Sequence, residues 1–101
     1  MNHVIFNGKT ATPSKIVCIG RNYADHAKEL NNEVPSSPVI FLKPNSALSS
    51  ELHAGENEEL HYEGEIAFMI MGNKLAGVGF GLDLTNRPLQ NELKKKGLPW
   101  E

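Results

Sequence analysis

Two extended segments that lie close together in the sequence restrict the fold of this chain more than any other feature. Residues 61–71 and residues 77–85 both have the composition of strands, and only residues 72–76 separate them. A parallel crossover needs a connection of about a dozen residues or more, whereas a hairpin needs far fewer. The short link therefore excludes a parallel pair and permits an antiparallel hairpin.

Strands also dominate the rest of the predicted structure. The pattern predicts further strands at residues 4–6, 16–19 and 39–42, and the second of these is apolar on both faces and therefore interior. Helical spacing is confined to residues 22–31 and 86–96. Because strands and helices do not alternate regularly, the sequence predicts an α+β, mostly β fold and not a doubly wound sheet.

Composition excludes several classes of protein. Ten basic and twelve acidic side chains among 101 residues give a net charge of −2, which disfavours nucleic acid as the main partner. No apolar run approaches the ~20 residues that span a bilayer, and no signal peptide is visible, so we expect no membrane partner. The single cysteine, Cys18, excludes an intrachain disulfide, fits a cytoplasmic location and reads as a buried apolar side chain.

Two glutamates in the first extended segment point to a cation. Glu63 and Glu65 alternate along the strand, so they share a face and lie about 7 Å apart along the backbone. Both faces of this segment are largely apolar, so we expect it to be buried. Two buried like charges cost several kcal/mol unless a positive charge lies between them. Oxygen ligands suit a hard ion, Mg²⁺ or Mn²⁺ ahead of zinc.

The second extended segment offers a third carboxylate. Glycines at 77, 79 and 81 share a face with Asp83, and glycine in a strand often marks the close approach of a ligand or another backbone. If the two faces meet, Glu63, Glu65 and Asp83 form a three-carboxylate site. Three alternatives stay open: the glutamates form a solvated face, the glycines suit a tight bend, and Asp83 caps the helix that begins near Asn86.

Several sequence motifs, in the same order, resemble the fumarylacetoacetate hydrolase family, and within it the acylpyruvase and oxaloacetate decarboxylase branch. The resemblance runs from about Lys15 onward. The motifs are KIVCIGRNYADHAKE at 15–29, FLKP at 41–44, HYEGE at 61–65, LDLTNR at 82–87 followed by Gln90, and KKKGLPW at 94–100.

The resemblance implies a mixed β-roll fold of the family's C-terminal type, a Mg²⁺ or Mn²⁺ cofactor and a homodimer. It makes Glu63, Glu65 and Asp83 the metal ligands. It also implies a catalytic pair and a set of polar residues that line the substrate site. The catalytic pair is His26 and Glu29, and the substrate-lining residues are Arg21, Lys43, Arg87 and Gln90.

The chemistry implied by the resemblance is the cleavage of a bond beside a small 2-oxo acid. The main interpretation is metal-dependent hydrolysis of a C–C bond in acylpyruvate-type 2,4-diketo acids, with His26 and Glu29 activating water. The alternatives are decarboxylation of oxaloacetate and its keto–enol tautomerisation. All three reactions use one site, and the sequence does not separate them.

The chain also departs from the family pattern. Relatives carry a helical connection where this chain has only residues 72–76, usually have an acidic residue at the position of Pro88, and continue well beyond Glu101. We therefore expect residues 1–101 to form a single, partial catalytic domain with weak or absent activity on its own. An inactive remnant that still binds a cation, and a structural or dimerisation fragment, are the alternative hypotheses.

Overall fold

Six strands and two helical segments make up the regular structure of the described residues. A computed structural model of the chain describes residues 1–20, 37–56 and 58–101. Their contacts divide the chain into two units, one of Met1–Ser50 with Glu101 and the other of Glu51–Trp100. The predicted mostly β fold is confirmed, whereas the predicted helix at 22–31 lies outside the described residues. The elements are β1 (Val4–Phe6), β2 (Lys9–Ala11), β3 (Lys15–Gly20), β4 (Val39–Pro44), a 3₁₀ helix (Asn45–Ala47), β5 (Leu60–Met71), β6 (Lys74–Asn86) and α1 (Arg87–Lys96).

The first unit contains two antiparallel strand pairs. Strands β1 and β2 pair through a turn at Asn7 and Gly8, whose φ angles of 50° and 77° are those of a type I′ turn. Strands β3 and β4 pair along their whole lengths, with Lys15 opposite Pro44 and Gly20 opposite Val39. The predicted strands at 4–6, 16–19 and 39–42 are all present.

The prediction that the second strand is interior on both faces is wrong. Along β3, Ile16 and Cys18 are half-buried, whereas Val17 and Ile19 are exposed. The physical reason is the pleat, which sends alternate side chains to opposite faces of a sheet that has two strands in the described part of the chain. Cys18 is accordingly half-buried and not fully buried.

The second unit is built on one long hairpin. Strands β5 and β6 pair antiparallel from Leu60 opposite Asn86 to Met71 opposite Lys74. Gly72 and Asn73 form the turn, and their φ angles of 57° and 61° again fit a type I′ turn. The antiparallel hairpin that the short link permits is therefore present.

The two faces of this hairpin differ in character. One carries Glu63, Glu65 and Asp83, and the other carries apolar side chains, including the cross-strand pair Ile66 and Phe80. Ile66 is 62% exposed and Phe80 is 74% exposed, so the predicted burial of both faces is wrong in this unit. The physical reason is that two strands expose both broad faces unless another layer covers them.

Helix α1 follows directly after β6. The Asn86 side chain caps its start, because Oδ1 accepts a hydrogen bond from the Leu89 N–H at 3.2 Å. Gly97, with φ 67°, ends the helix in the left-handed conformation. The alternative that Asp83 caps this helix is therefore wrong. In the described ranges, no helix is both long and apolar enough to cross a membrane.

Candidate metal centre

The pairing of β5 with β6 brings three acidic side chains together. Glu63 lies directly opposite Asp83, and Glu65 follows two positions along, opposite Gly81. Glu63, Glu65 and Asp83 each offer a carboxylate oxygen, and these oxygens all lie within 4.8 Å of one another. The three residues, here called the carboxylate cluster, are all half-buried. The structure thus unites the three residues that the sequence proposed as metal ligands.

The carboxylate cluster suits a hard divalent cation. Like charges directly opposite each other on an antiparallel pair destabilise it, and partial burial adds a loss of hydration. Carboxylate oxygens are ligands that Mg²⁺ and Mn²⁺ accept readily. The donor set and the mutual distances therefore fit such an ion.

Glycines leave open space on the same face of the hairpin. Gly81 lies opposite Glu65 and Gly79 lies opposite Ala67. A Cβ atom built on either glycine would meet no described atom within 4 Å. The face next to the carboxylate cluster therefore has room for a small ligand.

Two polar residues of helix α1 adjoin the carboxylate cluster. Arg87 is the first residue of α1, and its Nη2 atom lies 3.5 Å from Oε1 of Glu63. Its Nη1 atom donates a hydrogen bond to Oε1 of Gln90 at 2.8 Å. Sequence reasoning proposed Arg87 and Gln90 as substrate-lining residues but missed the contact with Glu63. That contact connects residues 24 positions apart, so no local pattern in the sequence reveals it.

The described residues do not test the roles of the remaining predicted site residues. Lys43 is half-buried on β4, in the first unit. Arg21, His26 and Glu29 lie outside the described residues. Their roles stay predictions.

The opposite face of the hairpin carries a shallow apolar cavity. Its volume is about 320 Å³. None of the three acids of the carboxylate cluster lines it, so it does not belong to the candidate metal centre. The residues that line it are Leu52, His53, Ala54, Leu60, Tyr62, Leu82 and Leu84.

A mostly β fold with three converging carboxylates defines the chain as a candidate metal-binding domain. Comparison with known protein families identifies the family to which it belongs. The model described as fumarylacetoacetate (FAA) hydrolase C-terminal matches residues 15–101. The chain therefore belongs to the fumarylacetoacetate hydrolase family, as the sequence motifs predict.

Proteins similar to this chain include oxaloacetate tautomerases from distant organisms. A mitochondrial one from Bos taurus is 44% identical over an alignment of 101 positions that covers 84% of this chain and 45% of that protein. One from Escherichia coli is 39% identical over an alignment of 103 positions that covers 87% of this chain and 47% of that protein. The chain thus spans about half the length of the curated relatives it matches.

Two solved structures are also similar. A protein from Oleispira antarctica, described as a fumarylacetoacetate isomerase/hydrolase, matches with a TM-score of 0.85 and 42% identity, over 100% of this chain and 53% of that one. A fumarylacetoacetate hydrolase family protein from Yersinia pestis matches with a TM-score of 0.81 and 34% identity, over 100% and 54%. Both agree with the mostly β architecture.

Proposed function

We propose that this chain is the part of an oxaloacetate tautomerase that holds a divalent cation, and that the enzyme interconverts the keto and enol forms of a small 2-oxo acid. The observation that carries the proposal is the carboxylate cluster, in a chain 44% identical to a protein named oxaloacetate tautomerase. The activity belongs to the whole enzyme, because the matched relatives are about twice as long.

In this proposal Glu63, Glu65 and Asp83 hold Mg²⁺ or Mn²⁺ through one carboxylate oxygen each. A bound cation supplies a Lewis acid that polarises the 2-oxo group of the substrate. The open glycine face beside the carboxylate cluster leaves the substrate room to approach. Half-burial of the three acids limits competing water.

Tautomerisation requires the transfer of one proton within the substrate. The C3–H bond breaks and an O–H bond forms on the 2-oxo oxygen, while the C2–C3 bond becomes double and the C2–O bond becomes single. We assign this transfer to His26, held in one tautomer by Glu29, on the basis of the family resemblance. The same resemblance implies that Arg21, Lys43, Arg87 and Gln90 line the substrate site.

Hydrolysis of acylpyruvates, the main interpretation of the sequence, is the second candidate function. The family description names a hydrolase, whereas the names of the similar curated proteins favour the tautomerase. Decarboxylation of oxaloacetate is the third candidate, and it shares its substrate with the proposed tautomerase reaction. These reactions differ in their products, so one set of assays separates them.

The test is a comparison of three activities of the purified chain with added Mg²⁺ or Mn²⁺. Ultraviolet absorbance follows the enol of oxaloacetate, and proton NMR detects pyruvate from decarboxylation or from acylpyruvate cleavage. We expect keto–enol exchange to be the reaction accelerated, at a low rate for this half-length chain. Pyruvate release without faster enol exchange would overturn the tautomerase proposal.

Substitutions within the carboxylate cluster provide the control for cation dependence. Glu65→Gln removes one negative ligand with little change of shape, so we expect Mn²⁺ affinity to fall by at least about tenfold. Glu92→Gln removes an exposed glutamate of helix α1 that pairs with Lys96, and we expect no change in Mn²⁺ affinity. Equal Mn²⁺ binding by Glu65→Gln and the unaltered chain would contradict the metal assignment and favour surface charge alone.

The substrate class and the assembly of the chain are also proposals. We propose a small 2-oxo acid as substrate and a homodimer as the assembly, with neither nucleic acid nor a membrane as partner. The cytoplasmic location stays a prediction, since the similar proteins from Bos taurus and Arabidopsis thaliana are named as mitochondrial.

A further inference from the structure

The side chain of Arg87 joins the carboxylate cluster to helix α1. Its Nη2 atom faces Oε1 of Glu63 at 3.5 Å, and its Nη1 atom donates to Oε1 of Gln90 at 2.8 Å. The guanidinium therefore places a permanent positive charge at the edge of a group of three acids.

We propose that Arg87 is a counter-cation built into the carboxylate cluster: it neutralises part of the negative charge and thereby lowers the affinity of the cluster for a divalent ion. This inference rests on the proposed function for the site that takes the ion. It assigns Arg87 a positioning and charge-setting role that a substrate contact alone does not require.

Coulomb's law gives the direction of the effect. A fixed unit charge repels a divalent ion twice as strongly as a monovalent one at the same distance. The side chains of Arg87 and Glu63 are 25% and 32% exposed, so solvent screens this repulsion only in part. The guanidinium also engages one oxygen of Glu63 that an incoming ion would otherwise use.

Gln90 and the start of helix α1 hold the guanidinium in this place. Arg87 and Gln90 are three residues apart, so their side chains share one face of the helix. Gln90 is neutral, and its hydrogen bond orients the guanidinium without cancelling its charge. The Asn86 cap fixes where the helix begins, and with it the position of Arg87.

The experiment measures Mn²⁺ affinity of the full chain by titration with electron paramagnetic resonance. Arg87→Gln removes the charge, and we expect binding tighter by on the order of tenfold, from the loss of repulsion in a partly solvated site. Arg87→Lys keeps the charge, and we expect an affinity within about threefold of the unaltered chain, since lysine remains a compact cation.

Lys96→Gln is the matched control, because it removes the same charge from the same helix. Lys96 ends α1, nine residues after Arg87, so the two Cα atoms are separated by roughly 14 Å along the helix axis. That distance exceeds a Debye length of about 8 Å at physiological ionic strength, so we expect unchanged Mn²⁺ affinity.

Urea unfolding provides a second measurement that does not depend on turnover. In the presence of a chelator, Arg87→Gln leaves the carboxylates with more unrelieved repulsion, so we expect a lower unfolding midpoint than that of the unaltered chain. Saturating Mn²⁺ should raise the midpoint of Arg87→Gln more than that of the unaltered chain, because tighter binding to the folded state stabilises it further.

The outcomes separate this inference from the proposed function. Unchanged or weaker Mn²⁺ binding by folded Arg87→Gln overturns the inference, and absence of binding by every variant overturns it together with the metal assignment. Tighter binding by Arg87→Gln without oxaloacetate turnover by any variant supports the inference and refutes the proposed function. If Arg87→Gln does not fold, Gln90→Leu provides the test instead. It removes the hydrogen bond that holds the guanidinium, so we expect Mn²⁺ binding to become tighter by about twofold to threefold. Unchanged affinity of Gln90→Leu would overturn the inference.

Discussion

At the scale of single residues, the side chain of Asn45 is buried and polar, so it needs hydrogen-bond partners within the protein. Asn45 is the buried polar residue in the described part of the chain, with only 7% of its surface exposed. Its Oδ1 atom accepts from the Asn2 N–H at 2.7 Å, and its Nδ2 atom donates to the carbonyls of Asn2 and Pro13 at 2.8 and 2.6 Å. The Asn45 side chain thereby connects the 3₁₀ helix to the N-terminal segment and to the segment before β3.

Replacement of this amide should destabilise the first unit. Asn45→Ala leaves the three backbone groups without their protein partner, and we expect a loss of about 2 kcal/mol in the free energy of unfolding, measured by urea denaturation. Ser46→Ala, an exposed position of the same 3₁₀ helix, should change it by less than about 0.5 kcal/mol. Equal stability of the two variants would show that the hydrogen bonds of Asn45 contribute nothing net.

At the scale of elements, strand β6 carries glycines, which are weak strand formers, on the same face as Asp83 of the carboxylate cluster. Gly81 has open space where its Cβ atom would lie, so a larger side chain meets no described atom there. Glycine in a strand interior is less favourable than a β-branched residue. The element therefore keeps open space beside the carboxylate cluster at the expense of local strand propensity.

Substitution of Gly81 by valine tests whether the open space serves substrate access and not stability. We expect Gly81→Val to keep or slightly raise the unfolding midpoint, while it raises KM for oxaloacetate by filling the space beside Glu65. Steady-state kinetics and circular dichroism on the same samples check both parts. A lower unfolding midpoint with an unchanged KM would contradict the assignment of this space to the substrate.

Helix α1 depends on the cap at its start. Asn86→Ala removes the acceptor of the Leu89 N–H, and we expect a loss of about 1 kcal/mol in the free energy of unfolding. Asn86→Ser retains a capping oxygen and should recover most of that loss. If thermal or urea unfolding shows Ala and Ser variants to be equally stable, the cap is not what holds the helix start.

At the scale of the whole molecule, the apolar face of the hairpin requires a cover. A two-stranded hairpin is marginally stable in water unless another layer packs on it. Ile66, Phe68, Val78 and Phe80 are each at least 60% exposed. We propose that a second copy of the chain covers this face, in line with the homodimer that the family resemblance implies.

Light scattering coupled to size-exclusion chromatography tests this assembly. We expect a mass that rises from one chain to two with concentration, and Phe80→Lys should shift that transition to higher concentration by placing a charge in the contact. Thr10→Lys, an exposed change on β2, should leave the transition where it is. A single-chain mass at every concentration would refute the homodimer for this chain.

Local chemistry in the sequence determined much of the architecture. Strand composition located five of the six strands but missed β2 (Lys9–Ala11). The short link permitted the hairpin, and helical spacing located helix α1 near residues 86–96. Alternation along a strand placed Glu63 and Glu65 on one face. These features depend on interactions within a few residues, so a single sequence contains their cause.

The tertiary structure alone decided how the acids meet. Met69 pairs with Gly77 but Ile70 pairs with Leu75, so Ala76 is an extra residue in β6. Without this bulge, the two-residue turn would place Leu82 opposite Glu63 and send Asp83 to the other face, because a shift of one residue reverses every side chain. The contact of Arg87 with Glu63 likewise joins residues far apart in the chain. Both depend on long-range pairing of strands, whose register no local pattern in the sequence specifies.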